Sequence, residues 1–141
     1  MGAVSVNQIL ITPLNRIEVA GGDVLHGMKC SDPGYVDFGE AYFSIVEAGA
    51  IKAWKRHLRM TLNFVIPLGT VFFAFIDERG VAREEAVGED RYVRLTVPPG
   101  IWFGFKGMGN KESMVLNIAS IPHDPGEVER RLLADFDYVW K

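Results

Sequence analysis

The feature that most constrains this chain is the regular interruption of short apolar runs by glycine, proline and aspartate. Runs of this length, rich in valine, isoleucine and phenylalanine, are typical of strands in a sandwich or barrel. Near the end, Asp124 is a candidate N-cap and Pro125 fits the first turn, which predicts a short C-terminal helix up to about Ala134. The sequence therefore predicts an all-β fold with that one helix. The predicted strands are residues 8–12, 17–19, 24–28, 50–58, 62–66, 71–76, 92–97, 101–106 and 114–119.

Length and composition bound the class of protein. The 141 residues, 48% of them apolar, suit a single domain spanning residues 1–141. No stretch approaches the roughly 20 apolar residues of a membrane-spanning helix, and the N-terminus lacks the pattern of a secretory signal, so we expect a cytoplasmic protein with no membrane partner. The net charge of −3 and the scattered basic residues argue against nucleic acid as a partner. The single cysteine, Cys30, has no second thiol to pair with and is expected to be a small buried side chain.

Two apolar segments, residues 62–66 and 71–76, are joined by Pro67, Leu68 and Gly69, which predicts a tight hairpin. Both faces of this hairpin are apolar. One face is expected to lie inside the barrel, and the other to be covered by a second sheet or by another subunit. We therefore expect a homodimer.

The segment 50–58 places basic side chains where a ligand can reach them. Because side chains alternate between the two faces of a strand, Lys55 and His57 share one face and Lys52 lies on the other. The neighbouring apolar strands predict that the shared face lines a pocket. Lys55 and His57 are therefore the candidate catalytic pair.

Residues 49–69 and 88–107 match the spacing of the two cupin motifs, in which a hairpin and a proline-fixed corner aim alternate side chains into one barrel mouth. This likeness implies a cupin double-stranded β-helix, also called a jelly roll. Metal-binding cupins carry His, His, Glu and His at the ligand positions. One imidazole does not hold a divalent ion, so we expect neither a metal nor another cofactor. The corresponding residues here are Lys55, His57, Leu62 and Phe103.

Three segments resemble the dTDP-4-dehydrorhamnose 3,5-epimerases and the dTDP-sugar 3,4-ketoisomerases: GAIKAWKRH, GEDRYVRLTVPPGIWFGFKGM and SMVLNIASIPHDP. The resemblance runs from about Asp23 to Arg131. In it, the epimerases' histidine base falls on Lys55, their catalytic lysine on Leu62 and their tyrosine acid on Leu116. The ketoisomerases carry two histidines two residues apart on this strand, and here they correspond to Lys55 and His57.

The resemblance also implies a small-molecule sugar nucleotide as partner. The epimerases' phosphate-binding arginine corresponds to Lys52, and this transfer requires a bulge or a neighbouring subunit, because alternation turns Lys52 away from Lys55. Trp102 is a candidate for stacking on the nucleobase or sugar, although aromatic residues at strand spacing are more often core. The candidate binding residues are Lys52, Arg59, Tyr42, Asn63, Trp102 and Asn117.

Both family reactions begin with removal of a proton next to a sugar ketone, which needs a base and a group that stabilises the enolate oxygen. Lys55 and His57 are expected to divide these roles. An apolar mouth lined by Phe64 and Phe103, with Arg59 nearby, would favour the neutral amine of Lys55. Lys55 is then a base or a Schiff-base former; if it stays charged, it binds phosphate.

Two functions follow from these observations. In the first, the protein binds a nucleoside diphosphate 4-keto-6-deoxy sugar, with dTDP as the expected nucleotide, and epimerises or isomerises it. In the second, it is a non-catalytic cupin that binds a sugar nucleotide as a sensor or structural partner. Leu62, Phe103 and Leu116 favour the second function, because apolar groups do not transfer protons, whereas the pairing of Lys55 with His57 favours the first.

Overall fold

The structure, a computed structural model, describes residues 3–141 and consists almost entirely of short strands. The described strands form two antiparallel five-stranded sheets that pack face to face, and a two-stranded ribbon. The strands are β1 (Leu10–Pro13), β2 (Arg16–Ile17), β3 (Val24–Leu25), β4 (Glu40–Val46), β5 (Ile51–His57), β6 (Leu62–Leu68), β7 (Thr70–Ile76), β8 (Ala82–Gly88), β9 (Val93–Val97), β10 (Trp102–Gly107), β11 (Ser113–Ala119) and β12 (Val128–Arg130).

The first sheet has the strand order β1-β9-β6-β11-β4, and the second has the order β12-β5-β10-β7-β8. The core lies between them and includes Phe64, Phe73, Leu95 and Val115. Inward side chains alternate with outward ones, as they do wherever one face of a strand is buried. This arrangement confirms the predicted all-β jelly roll.

The connection between β6 and β7 is a corner between the two sheets rather than the predicted hairpin. Within residues 3–141, β6 pairs with β9 and β11, and β7 pairs with β8 and β10. The chain turns at Gly69, which has a φ of +82°. A β-carbon at Gly69 would lie 2.2 Å from the Ser113 hydroxyl and 2.8 Å from its α-carbon. The hairpin prediction was wrong because a turn signal does not specify which sheet receives the next strand.

Replacing Gly69 with alanine is expected to destabilise the fold by roughly 2–5 kcal/mol, the sum of a left-handed backbone penalty and overpacking against Ser113. The matched control is Gly80→Ala, at a φ of +80° with no atom within 4 Å of the added carbon. It should lose only the backbone part, about 1–2 kcal/mol. Urea unfolding measures both values. Equal losses would show that the corner has room for a side chain.

The outer face of the second sheet is covered by the chain's own C-terminal residues. Trp54, Phe72 and Trp102 project outward and pack against Phe136, Tyr138 and Trp140. The Trp54 indole nitrogen donates to the Leu133 carbonyl at 3.3 Å, and the Tyr138 hydroxyl donates to Glu84. The outward apolar side chains of residues 71–76, which we expected to meet a sheet or a subunit, are buried under this segment.

The outer face of the first sheet is partly covered by the loop between β3 and β4. Arg94, fully buried, holds this loop with a 3.0 Å hydrogen bond to the Gly27 carbonyl and a 2.7 Å bond to the Pro33 carbonyl. Its Nε also donates to Asn63 Oδ1 at 3.1 Å. Cys30 lies in this loop and is exposed, so the expectation of a buried thiol was wrong. The loop is held by Arg94 and does not bury the thiol.

The predicted C-terminal helix is absent from the described residues. Asp124 caps a turn as expected, since its Oδ1 accepts a 3.0 Å bond from the Gly126 amide. The turn ends after Pro125–Glu127, and β12 then pairs with the free edge of β5. The helix prediction failed because it did not include that open edge, whose backbone groups favour a strand. No helix in residues 3–141 is long and apolar enough to cross a membrane.

Candidate active site

A cavity of about 410 Å³ opens between the two sheets. Phe64, Phe103 and Val115 form apolar parts of its wall. Its charged lining residues are all basic: Lys52, Lys55, Arg130 and Arg131, with His57 beside them, and no carboxylate lines it among residues 3–141. A concave site with apolar walls and an excess of positive charge is suited to an anionic organic ligand.

A bulge in β5 turns both lysines into this cavity. Phe103 lies opposite Lys55, and Phe105 lies opposite Lys52. The step from the first pair to the second is two residues in β10 but three in β5, so β5 contains one extra residue. Directly paired residues project to the same face, and an extra residue in one strand shifts its alternation. Lys52 and Lys55 therefore share the inner face. Strict alternation predicted Lys52 on the opposite face, and this prediction was wrong. The bulge that Lys52 needs to reach the cavity, as the resemblance to the epimerases implied, is present.

Small residues and an aromatic anchor surround the bulge. Gly104 lies opposite Ala53, and a β-carbon at Gly104 would approach the Ala53 β-carbon to 2.4 Å. The Trp54 ring is buried on the outer face, where it packs against Phe136 and Trp140. At a bulge the two backbones approach each other closely, which small residues permit, and the side chain of the inserted residue packs on the opposite face of the sheet. These contacts fix the direction of the two lysines.

His57 lies at the buried end of the cavity and is bonded to Glu127. The His57 Nδ1 and Glu127 Oε1 are hydrogen-bonded, and Glu127 is only 2% exposed. Glu127 Oε2 accepts backbone bonds from Arg59 at 3.1 Å and from Met60 at 3.2 Å. Burial raises the pKa of the Glu127 carboxyl, but the bonds from His57 and from these two amides outweigh it and hold the pKa below its ordinary value. Glu127 is therefore a carboxylate at neutral pH.

The bond to Glu127 determines the state of the His57 imidazole. Burial lowers the pKa of His57 and, although Glu127 raises it, the net shift is downward. At neutral pH the ring is neutral, and its one hydrogen lies on Nδ1 because the Glu127 carboxylate can only accept. Nε2 is then unprotonated and has no hydrogen-bond partner within residues 3–141. This arrangement gives a general base whose lone pair is available to a ligand.

We expect an NMR titration to give a His57 pKa below 6.5, the ordinary histidine value. Because its pKa is lower in the folded state, the unfolded chain binds this proton at a higher pH than the folded chain does. The stabilisation that neutral His57 contributes is therefore complete above the ordinary histidine pKa and is lost as the pH falls towards the folded-state pKa. In Glu127→Gln the pKa should fall further, because a charge that raises it is removed. A parent pKa at or above the ordinary value would contradict this description; the signal is assigned by its loss in His57→Asn.

Lys55 lies next to His57 on the inner face of β5. Burial lowers the pKa of the Lys55 amine, Arg130 and Lys52 lower it further, and Glu127 opposes the shift. The expected neighbour, Arg59, instead forms a 2.8 Å ion pair with Asp124 at the surface. Exposure decreases along β5 from Lys52, which is exposed, through Lys55 to His57, which is 9% exposed. The open end of the cavity is therefore cationic, and the closed end carries the neutral His57.

Tyr42 and Asn117 lie on the other wall, on neighbouring strands of the first sheet. Asn117 Nδ2 donates a hydrogen bond to the Tyr42 hydroxyl oxygen at 2.9 Å. Asn117 is 7% exposed, and its Oδ1 is buried with no partner in the part of the chain described. Burial raises the pKa of the Tyr42 phenol, so it is protonated at neutral pH. Both residues were predicted from the sequence, and the structure brings them to the cavity.

Three other predicted binding residues lie outside this cavity. The Arg59 guanidinium is at the surface with Asp124. Asn63 bonds the Arg94 guanidinium and the Gly34 carbonyl on the outer side of the first sheet. Trp102 is on the outer face of the second sheet, with the Arg56 guanidinium 4.9 Å from its ring centre.

Sequence reasoning missed Glu127 and Arg130. Both reach the site because β12 pairs with β5, with Val128 opposite His57 and Arg130 opposite Lys55. In this part of the sequence, Asp124 as a candidate N-cap predicted the turn, but no residue pattern predicted β12. No three His, Cys, Asp or Glu side chains within residues 3–141 are grouped as metal ligands would be.

Comparison with known proteins identifies the family. No family model matches the chain. The crystal structure of a dTDP sugar isomerase from Desulfovibrio desulfuricans G20 superposes with a TM-score of 0.89 at 36% sequence identity, covering 92% of this chain and 87% of that one. The chain belongs to the family of dTDP-sugar isomerases and RmlC-like epimerases.

Two further proteins are similar to this chain, one in fold and one in sequence. QdtA, a sugar 3,4-ketoisomerase from Thermoanaerobacterium thermosaccharolyticum solved with TDP, shares the fold at a TM-score of 0.78 and 14% identity, over 90% of both chains. The probable low-salt glycan biosynthesis epimerase Agl13 of Haloferax volcanii is 29% identical over 91 residues, or 60% of this chain. The chain spans 58% of the length of that relative. The predicted resemblance and the jelly-roll fold of this family are confirmed.

Proposed function

We propose that this protein binds a nucleoside diphosphate 4-keto-6-deoxy sugar, with thymidine as the nucleoside, and epimerises or isomerises it without a metal. The observation that carries the proposal is the neutral His57, oriented by the Glu127 carboxylate at the closed end of a cavity that is otherwise cationic. A base of this kind removes a proton next to a ketone. The dTDP sugar isomerase with which this chain shares 36% identity supports the choice of nucleotide.

The exposure gradient along β5 supports one direction for the ligand. The diphosphate meets Lys52 and Arg130 at the exposed end, and the sugar extends to His57 at the buried end. Lys52 is already directed inward, since its ammonium donates to the Ile45 carbonyl at 3.1 Å. Cations at the mouth also raise the local concentration of an anionic substrate.

Two groups then act on the sugar. His57 Nε2 takes the proton from the carbon next to the ketone, the electron pair of that C–H bond forms a carbon–carbon double bond, and the carbonyl π pair moves to the ketone oxygen to give an enolate. Lys55, next to His57, stabilises the developing negative charge as an ammonium donor. A proton delivered by water to the opposite face of the same carbon inverts it. Return of the proton from His57 to the former carbonyl carbon, with the hydroxyl proton of the first carbon passing to the former ketone oxygen, moves the ketone. Imidazole and ammonium groups supply this chemistry without a metal.

The non-catalytic function remains the second candidate, and one observation favours it: Phe103 lines the cavity at a position where metal-binding cupins carry a ligand. The other two apolar residues that favoured it, Leu62 and Leu116, do not line this cavity; Leu62 is buried in the core and Leu116 faces the outer groove near Cys30. The apolar character of Leu62 and Leu116 is therefore no argument against proton transfer in the cavity.

Product analysis separates the two functions. The protein is incubated with dTDP-4-keto-6-deoxyglucose, and the sugar is followed by NMR beside a titration with dTDP alone. Conversion to a C3 or C5 epimer, or to the 3-keto isomer, supports the proposed enzyme. Binding of dTDP with an unchanged sugar supports the sensor, and no binding of either compound contradicts both.

We also propose that two copies form a homodimer through the outer face of β4. This strand is at the end of the first sheet and exposes Phe43 at 63% and Ile45 at 45%. Leu68 is exposed as well, and large exposed apolar patches of this kind mark protein contacts. Sedimentation should show a dimer for the parent and a monomer for Phe43→Glu. A monomeric parent, or a dimer unaffected by the substitution, would contradict this interface.

A further inference from the structure

The Tyr42–Asn117 pair leaves one donor and one acceptor free for a ligand. Asn117 Nδ2 donates to the Tyr42 hydroxyl oxygen, so the hydrogen of that hydroxyl is available to another group. Asn117 Oδ1 is buried and accepts no hydrogen bond within residues 3–141. Buried amide oxygens are nearly always paired, and an unpaired one in a cavity marks the place where a ligand donor fits.

The Tyr42–Asn117 pair faces β5 across the cavity. Tyr42 and Asn117 lie on β4 and β11 of the first sheet, whereas Lys55 and His57 lie on β5 of the second, and all four line the same space. Asn117 and His57 are both more than nine-tenths buried. A sugar at the closed end therefore contacts the base on one side and the Tyr42–Asn117 pair on the other.

We propose that Tyr42 and Asn117 recognise the α-hydroxyketone of the sugar, with Asn117 Oδ1 accepting from the C3 hydroxyl and the Tyr42 hydroxyl donating to the C4 ketone oxygen. An α-hydroxyketone carries one donor and one acceptor on adjacent carbons, which matches the two free groups of the pair. This inference rests on the proposed function and names the part of the substrate that determines specificity.

The assignment also selects the carbon that reacts. His57 Nε2 removes the C3 hydrogen as a proton, the C–H electron pair becomes the C3–C4 double bond, and the carbonyl π pair moves to O4. The Tyr42 hydroxyl, already bonded to O4, stabilises that negative charge together with Lys55. The proton on His57 exchanges with water before a proton returns to carbon, so deuterium enters at C3 in deuterated water and no other reactant is consumed.

The imide edge of the thymine base offers a similar donor and acceptor. The structure favours the sugar, because Asn117 is at the buried end with His57 while the cationic groups that meet the diphosphate are at the exposed end. The two assignments differ in one measurable way. If Asn117 bound the base, its loss would weaken the binding of dTDP alone.

The test compares dTDP-4-keto-6-deoxyglucose with its 3-deoxy analogue in deuterated water, using the parent, Asn117→Leu and Tyr42→Phe. The parent should exchange the C3 position of the analogue about 100-fold less efficiently in kcat/KM, because the analogue leaves Asn117 Oδ1 unpaired. Asn117→Leu should lose most of this discrimination. Tyr42→Phe should lower kcat on both sugars by about 30- to 100-fold with KM within about threefold.

Ser44→Ala serves as the matched control, since Ser44 is two residues from Tyr42 on β4 and its side chain makes no hydrogen bond in the part of the chain described. Thermal unfolding checks that each variant folds. Equal use of the two sugars by the parent, a Tyr42→Phe variant as fast as the parent, or weaker dTDP binding in Asn117→Leu would overturn the inference alone. A parent that binds dTDP but exchanges neither sugar would overturn the proposed function as well.

Discussion

Replacing His57 with asparagine is expected to lower turnover of dTDP-4-keto-6-deoxyglucose by roughly 10²- to 10⁴-fold, the usual contribution of a positioned general base. Asparagine retains a donor that can reach Glu127, so the buried carboxylate keeps a partner. It has no group that accepts a proton at neutral pH. The change is measured as kcat for the parent and the variant at pH 7.5.

Binding of dTDP by His57→Asn should stay within about threefold of the parent, because the proposed diphosphate position is at the other end of β5. This control separates loss of the base from loss of the fold or of the ligand. A variant that binds dTDP and retains more than a tenth of the parent's turnover would show that His57 is not the base. Lys55 would then be the remaining candidate on the same face.

Replacing Lys55 with methionine is expected to lower kcat by about 100-fold, the effect of removing one donor from a developing oxyanion. Methionine keeps the length and the apolar part of the side chain, so the packing against Phe103 should be preserved. The affinity for dTDP should change little. The measurement is kcat and KM, taken side by side with Lys52→Met.

Lys52→Met is expected to give the opposite pattern: weaker binding, by about tenfold in KM, with kcat nearly unchanged, because a charged contact to phosphate is lost. If both substitutions raised KM alone, Lys55 would be a second phosphate ligand.

Schiff-base formation by Lys55 gives a different outcome. Borohydride added during turnover would then attach the sugar covalently to the parent but not to Lys55→Met.

The central strands of the fold could be predicted from the sequence because burial on both faces leaves a strong apolar signal. Residues 62–66, 71–76 and 114–119 were located to within two residues of β6, β7 and β11. The strands that were missed, β4, β8 and β12, all lie at the ends of their sheets. An edge strand packs on fewer neighbours, and β8 and β12 are rich in charged residues, so their patterns resemble those of loops.

The candidate site was predicted in part for a related reason. Lys55 and His57 were found because alternation along a single strand and the family resemblance both point to them, whereas Tyr42 lies on β4, a strand that was not predicted. The inward position of Lys52 depends on the bulge opposite Gly104, which only the pairing of β5 with β10 reveals. Glu127 is 70 residues from His57 and is brought to it by β12. Contacts at that separation have no local sequence signal.

Deuterium incorporation tests the role of His57 most directly. The protein is incubated with dTDP-4-keto-6-deoxyglucose in deuterated water, and the sugar carbons next to the ketone are examined by NMR before any product accumulates. The parent is expected to introduce deuterium at C3, and His57→Asn, which still binds dTDP, is not. Deuterium uptake at equal rates by the two proteins, or no uptake by a parent that binds the sugar nucleotide, would contradict this expectation.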